Sequence, residues 1–236
     1  WGDACRGVFT LGSSQAQRIQ SHRFGARVTA SLILHQGLLS LSQQHPGPDY
    51  LATETRLTQY LDLLNRWNGK FNLTAIKDRE EQVSKHLLDS LAVAAFVEDS
   101  ELLDVGTGAG LPGIPLAVLF PSLNVLLLDS NSKKTRFLTE VKAQLKLDNV
   151  QVLHARVEAI KDRRFEQVIC RAFSPLPELL PKVAHVIEQR GRLLAMLGQS
   201  PEHAEPDQLG ASACELHSLN VPQLEESRHL MVVSLN

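Results

Sequence analysis

The sequence predicts an α/β protein: a doubly wound, Rossmann-like parallel sheet preceded by a helical N-terminal extension. Three observations carry that prediction. Residues 101–130, ELLDVGTGAGLPGIPLAVLFPSLNVLLLDS, read as strand, glycine turn, helix and strand. Further short apolar strands follow, separated by helical or polar stretches, which is the chain order of a sheet covered on both faces. Before them, residues 26–97 repeat their apolar side chains at helical spacing. The expected division is an extension over 1–25, a helical segment over 26–98 packed on the core, and a ligand-binding core over 99–236.

Residues 1–25 show no period and are expected to be poorly ordered. Val28, Leu32, Leu34, Leu38 and Leu41 predict a helix over 26–42, weakened by Gly37 and closed by the breaker HPGPD at 45–49. Leu57, Tyr60, Leu61, Leu64 and Trp67 predict a second helix, capped by Thr53 or Thr55 and ended by Asn68 and Gly69. Residues 70–78 read as a link, and Glu80 to Val97 as a third helix with Val83, Leu87, Leu88 and Leu91 on one face. His86 and Asp89 lie three apart on that helix, either as a surface pair or lining the mouth of the core site.

In the 101–130 unit, Leu102, Leu103 and Val105 form a strand buried on both faces, with Asp104 inside it. Gly106, Gly108, Gly110 and Gly113 follow. Glycines let the chain turn sharply and let a ligand approach bare main chain. Pro112 to Phe120 form a helix whose N-terminal NH groups face the same crevice. Val125 to Leu128 make the second strand, and Asp129 at its end can reach the two hydroxyls of a ribose. A nucleoside-containing molecule is therefore expected here. Gly108-x-Gly110-x-x-Gly113 fits a dinucleotide fingerprint. The overlapping Asp104-x-Gly106-x-Gly108-x-Gly110 resembles the first motif of the S-adenosylmethionine-dependent methyltransferases, and is preferred. Asp104, Gly106, Gly108 and Gly110 are then cofactor-turn candidates.

Ser132 starts the next helix, with Phe137, Leu138, Val141 and Leu145 buried. Its first turn carries Lys133, Lys134 and Arg136, at the end where cations are disfavoured. That placement beside Asp129 points to an anion, and RNA phosphate is the natural one. Val150–His154 and Phe165–Phe173 are the third and fourth strands, Pro175–Gln189 a helix, Gly191–Leu197 the fifth strand. Cys214–Val221 and His229–Leu235 can pair as the closing strands.

Net charge over the 236 residues is −2, so any nucleic-acid contact must come from a local patch. Residues 101–200 carry 13 Lys/Arg against 10 Asp/Glu, whereas 201–236 carry one against six, which puts that patch near the crevice. Three scattered cysteines, Cys5, Cys170 and Cys214, form neither a disulfide framework nor a zinc site. No metal is expected. With no apolar run near the ~20 residues of a membrane span and no basic-then-apolar leader, a cytoplasmic monomer is expected.

WNGKFNLTAIKD (67–78), KHLLDS (85–90), LLDVGTGAGLPGIPLA (102–117), LLDSNSKKTRFL (127–138), ARVE (155–158), RAF (171–173) and RHLMVV (228–233) together resemble the RsmG (GidB) family. The resemblance is collinear over roughly 50–236. It implies a bacterial enzyme that methylates N7 of a guanine in 16S ribosomal RNA of the small subunit, using S-adenosylmethionine. It implies cofactor contacts at Gly106, Leu111, Val157, Glu158 and Arg171, and a basic cleft of Lys133, Arg156, Arg171 and Arg228. Arg156 and Arg171 are the expected catalytic pair, holding base and phosphates. One departure stands out: the family's fifth strand usually ends in Lys-Gly, and here it is Leu197-Gly198. That leaves a methyltransferase-like RNA-binding module with little turnover as a second reading, and an NAD(P) oxidoreductase as a third.

Overall fold

The structure is a computed structural model that describes residues 13–98, 100–171, 176–198 and 212–235. Among them, seven strands form one sheet in the order β3-β2-β1-β4-β5-β7-β6. The strands are β1 (Glu101–Val105), β2 (Asn124–Asp129), β3 (Val150–His154), β4 (Phe165–Arg171), β5 (Ile187–Leu197), β6 (Ala213–Leu219) and β7 (Arg228–Ser234). Pairs β1/β2, β2/β3, β1/β4 and β4/β5 are parallel. The β5/β7 and β6/β7 pairs are antiparallel, and the two closing strands pair with each other as expected. The chain order reverses between β1 and β4, and a ligand crevice belongs at the carboxyl ends of such strands.

Alternation along β1 splits the core into two layers. Leu102 packs on the side that holds α5 (Gly113–Leu119) and α6 (Ser132–Leu145); Leu103 and Val105 pack on the side of α7 (Leu176–Val183). The N-terminal helices join the first layer. Leu34, Leu38, Leu57, Tyr60, Leu64 and Leu87 are each at most 2% exposed within it.

Several boundaries differ from the sequence reading. Helix α1 is Ser13–Gln44, so it begins inside the stretch expected to be poorly ordered; residues 1–12 lie outside the described residues. The added part, SSQAQRIQSHRFG, has no proline, and its Gln, Ala and Arg are good helix formers. Gly37 is a packing site rather than a weakness: a Cβ there would lie 2.3 Å from Leu88 Cδ1. Helix α2 (Glu54–Phe71) runs through Gly69 to a left-handed Asn72 at φ 49°. Trp67 packs in tilted contact against both Phe71 and Phe137, which holds the last turn in place. Neither threonine caps α2. A 3-10 turn, Leu51–Thr53, precedes it, and there Asp49 Oδ1 accepts from the Ala52 NH at 3.1 Å.

The third helix is a composite. It runs as α3 (Arg79–Gln82), a π-helical segment Val83–Leu88, and α4 (Asp89–Leu91). Asp78 caps it by accepting from the Glu81 NH at 2.9 Å. Such wide turns recur at functional sites. Helix α7 ends at Val183, not Gln189, because a 3-10 turn leads directly into β5 at Ile187. Residues 172–173 of the expected fourth strand lie outside the described residues.

Candidate functional site: two clefts at the carboxyl edge

The glycine turn follows β1. Gly106, Gly108 and Gly110 have φ of 68°, 62° and 93°, values open to glycine and costly for other residues. The Gly106 and Thr107 NH groups both donate to the Leu128 carbonyl, at 2.9 and 3.1 Å, which folds the turn over the end of β2. Asp104 braces it from below. Its Oδ2 accepts from Thr107 Oγ1 at 2.6 Å and from the Gly113 NH at 2.9 Å. Asp104 is fully buried, and burial pushes its carboxyl up to about 6. From the far side, the buried Tyr60 hydroxyl donates to the Ala109 carbonyl at 2.8 Å. Burial raises that phenol well above its usual range, so it stays a neutral donor.

Asp129 closes the turn from β2. Its Oδ2 accepts from the Gly108 NH at 2.9 Å, and its Oδ1 from the Asn131 NH at 2.8 Å. Lys134 Nζ sits 3.6 Å from Oδ2. Asp129 and Lys134 face a cleft of about 300 Å³ lined also by Gly106, Arg156, Val157 and Glu158 among others. Of the expected cofactor residues, Gly106, Asp129, Val157 and Glu158 line it.

Asp104, Gly108, Gly110, Leu111 and Arg171 do not line it. Asp104, Gly110 and Leu111 are buried under the turn and shape it. A Cβ on Gly110 would lie 2.6 Å from Ile114 Cγ1, so that glycine serves helix packing. Lys134, expected on the RNA face, is instead drawn into this cleft by Asp129. Lys133 and Arg136 stay exposed on the first turn of α6.

Arg171 opens on a second cleft, of about 330 Å³, at the ends of β4 and β5. Since β4 neighbours β1, the two clefts lie side by side at the sheet edge. Arg171 Nη1 donates to Asp89 Oδ2 at 3.1 Å and to the Lys85 carbonyl at 3.1 Å. Arg228 Nε lies 3.2 Å from Asp89 Oδ1. A single buried carboxylate thus holds two guanidinium groups from two strands. Burial pushes Asp89 up, against the pull of both arginines. His86 shares this cleft, and its Nε2 pairs with Thr74 Oγ1 at 2.8 Å. Burial and the nearby Arg171 charge hold its imidazole down to about 4, so it is neutral at pH 7. The surface-pair reading of His86 and Asp89 is therefore corrected: both are buried and line a cleft, though not the one beside Asp129. Leu197, Gly198 and Met196 complete one wall.

The expected pair Arg156 and Arg171 is split between the clefts. Sequence reasoning missed Tyr60, read as core, and Lys85 and Glu226 as members of the site; Asp89 had been weighed for it together with His86. The one available signal was the Lys-His-x-x-Asp of residues 85–89 among the apolar Val83, Leu87, Leu88 and Leu91.

The model of the GidB family, described as rRNA small subunit methyltransferase G, matches residues 53–231. The chain belongs to this family. Ribosomal RNA small subunit methyltransferase G of Pseudomonas fluorescens is 45% identical over 206 residues, covering 84% of this chain and 94% of that protein. The Stenotrophomonas maltophilia protein of the same name is 44% identical over 219 residues, 92% and 99% of the two chains. Among solved structures, the apo S-adenosylmethionine-dependent methyltransferase SibL matches with a TM-score of 0.54 at 15% identity, over 76% of this chain and 69% of that one. M. jannaschii TYW2 in complex with AdoMet matches at 0.50 and 18% identity, over 62% and 73%. These two likenesses concern the fold. The family match does not favour the dinucleotide reading of Gly108, Gly110 and Gly113. Among the described residues no group of His, Cys, Asp or Glu could hold a metal ion, and no helix is long and apolar enough to cross a membrane.

Proposed function

We propose that this member of the methyltransferase G family transfers a methyl group from S-adenosylmethionine to N7 of a guanine in the 16S RNA of the small ribosomal subunit. The observation that carries the reading is the pair of adjoining clefts, one with carboxylates over bare glycine backbone and one with arginines. The donor set of the first fits a nucleoside. Asp129 accepts hydroxyl hydrogens at the end of β2, Glu158 and Val157 face it from the β3 side, and Gly106 brings no side chain between them. When bound, the cofactor supplies an electrophilic methyl on a sulfonium.

The chain's own task is placement. Guanine N7 carries an in-plane lone pair and no proton, so no general base is needed. That agrees with a second cleft in which His86 is neutral and Arg171 and Arg228 are paired with Asp89. Arg171 and Arg228 present guanidinium groups there for a nucleotide, and Asp89 fixes their spacing. Holding two reactants in line lowers the barrier by removing the entropy of their encounter. Holding Arg171 and Arg228 in the second cleft spares a cationic donor their repulsion; of the two cations that line the first cleft, Arg156 and Lys134, Lys134 is paired with Asp129.

The test is to incubate the protein with cofactor labelled in the methyl group and small subunits that lack the modification, then map the labelled base. Label at N7 of one guanine in 16S RNA is expected. Label elsewhere, or binding without label, overturns the reading.

A further inference from the structure

At the mouth of the second cleft one carboxylate bridges two cations from distant parts of the chain. Glu226 Oε1 lies 2.9 Å from Lys85 Nζ, on the π-helical segment. Its Oε2 lies 2.8 Å from Arg228 Nη2, at the start of β7. Glu226 belongs to the β6–β7 connection, and its side chain is about half exposed (53%). The cations are better seated. Arg228 is anchored on the buried Asp89, and Lys85 is also steadied by Glu81 at 3.4 Å, one turn earlier. Both hydrogen-bonded cations hold the Glu226 carboxyl below its usual range. The arrangement is a two-pronged oxyanion site with a removable oxyanion in it.

We propose that Lys85 and Arg228 form a subsite for a backbone phosphate of the RNA strand, and that Glu226 occupies this subsite in the free protein. The proposal rests on the functional reading above and adds to it a ligand group and a residue, Lys85, that the sequence had not singled out. Three features support it. A carboxylate and a phosphate present similar pairs of oxygens to a guanidinium and an ammonium, and phosphate carries the charge on more acceptors. The Glu226 pairs are solvent-exposed, and such pairs hold weakly, so exchange is cheap. The subsite adjoins Arg171 and the cleft floor, within reach of a nucleotide whose base enters that cleft. Glu226 also screens the two cations from other polyanions until the correct strand displaces it, which sharpens selection at the expense of affinity.

Binding of the full chain to small subunits lacking the modification is measured at several salt concentrations, for the wild type, Glu226→Gln and Lys85→Gln. Affinity for S-adenosylmethionine is measured alongside, as a check on folding and on the first cleft. Glu226→Gln is expected to bind subunits roughly fivefold more tightly, the scale of one exposed ion pair. Lys85→Gln is expected to bind more weakly and to lower the salt slope by about one. Neither should change cofactor affinity. If Glu226→Gln binds no better than wild type, or Lys85→Gln leaves the slope unchanged, the subsite is overturned while the functional reading stands. Wild-type protein that holds the cofactor but binds no subunits would overturn the functional reading, and the subsite with it.

Discussion

The Tyr60 hydroxyl donates to the Ala109 carbonyl at 2.8 Å, and this one buried bond ties helix α2 to the glycine turn 49 residues later. The helical segment thus braces the glycine turn beside the first cleft and is not only a cover for the sheet.

Tyr60→Phe keeps the ring packed against Phe137 and removes only the donor. A buried acceptor left unmatched costs about 1–3 kcal/mol. The variant is expected to lose stability on that scale and to bind S-adenosylmethionine several-fold more weakly. Urea unfolding and titration calorimetry read the two effects. Unchanged cofactor affinity would show that Asp104 and Asp129 hold the turn without help from α2.

Asp104 gives a pH signature. Burial pushes its carboxyl up to about 6 in the fold from an ordinary value of 3.8. Between these values the folded state keeps the proton that the unfolded state has lost, so this group's contribution to stability falls as pH rises through the window. The total is roughly 3 kcal/mol. Asn has the same shape and does not titrate. The stability difference between wild type and Asp104→Asn should therefore shift in favour of the variant as pH goes from about 4 to about 6.5. Denaturant unfolding of both proteins at the two pH values checks this. A difference that does not move with pH would mean that the Thr107 and Gly113 hydrogen bonds fully offset burial.

Asp129→Ala removes the acceptor for the Gly108 and Asn131 NH groups and the proposed ribose contact together. Cofactor affinity is expected to fall by more than about tenfold, or over 1.4 kcal/mol. Calorimetry reads it directly. An unchanged affinity would remove Asp129 from the cofactor site.

Leu197→Lys tests the departure at the end of β5. Leu197 lines the arginine cleft opposite His229. A lysine there is expected to strengthen subunit binding and to steepen its salt dependence by about one phosphate's worth. Filter binding across a salt series is the measurement. No change in slope would place the missing lysine outside the RNA path.

Much of the core was legible because its signals are local. The β1–turn–α5–β2 unit followed from apolar runs, glycines and a terminal acid, all within thirty residues. The strands after it were found for the same reason, and the closing two pair with each other as expected. Boundaries went astray where neighbours overrode local preference. Gly69 looked like a helix end, yet packing among Trp67, Phe71 and Phe137 carries α2 past it. Gly37 looked like a weak point, yet Leu88 needs the space.

The site itself was half legible. The sequence alone established the first cleft's frame: the turn that only glycine backbone accommodates and the acid Asp129 one strand away. Those are properties of residues close together in the chain, where spacing fixes geometry. Only the tertiary structure decided how charge is shared between the two clefts. It buried Asp104 as a brace, drew Lys134 to Asp129, separated Arg156 from Arg171, and set Asp89 between Arg171 and Arg228. Those partners lie up to 139 residues apart. Their meeting depends on strand order and register, which bring β4 beside β1 and β7 beside β5, and no local pattern encodes which side chains then face one another.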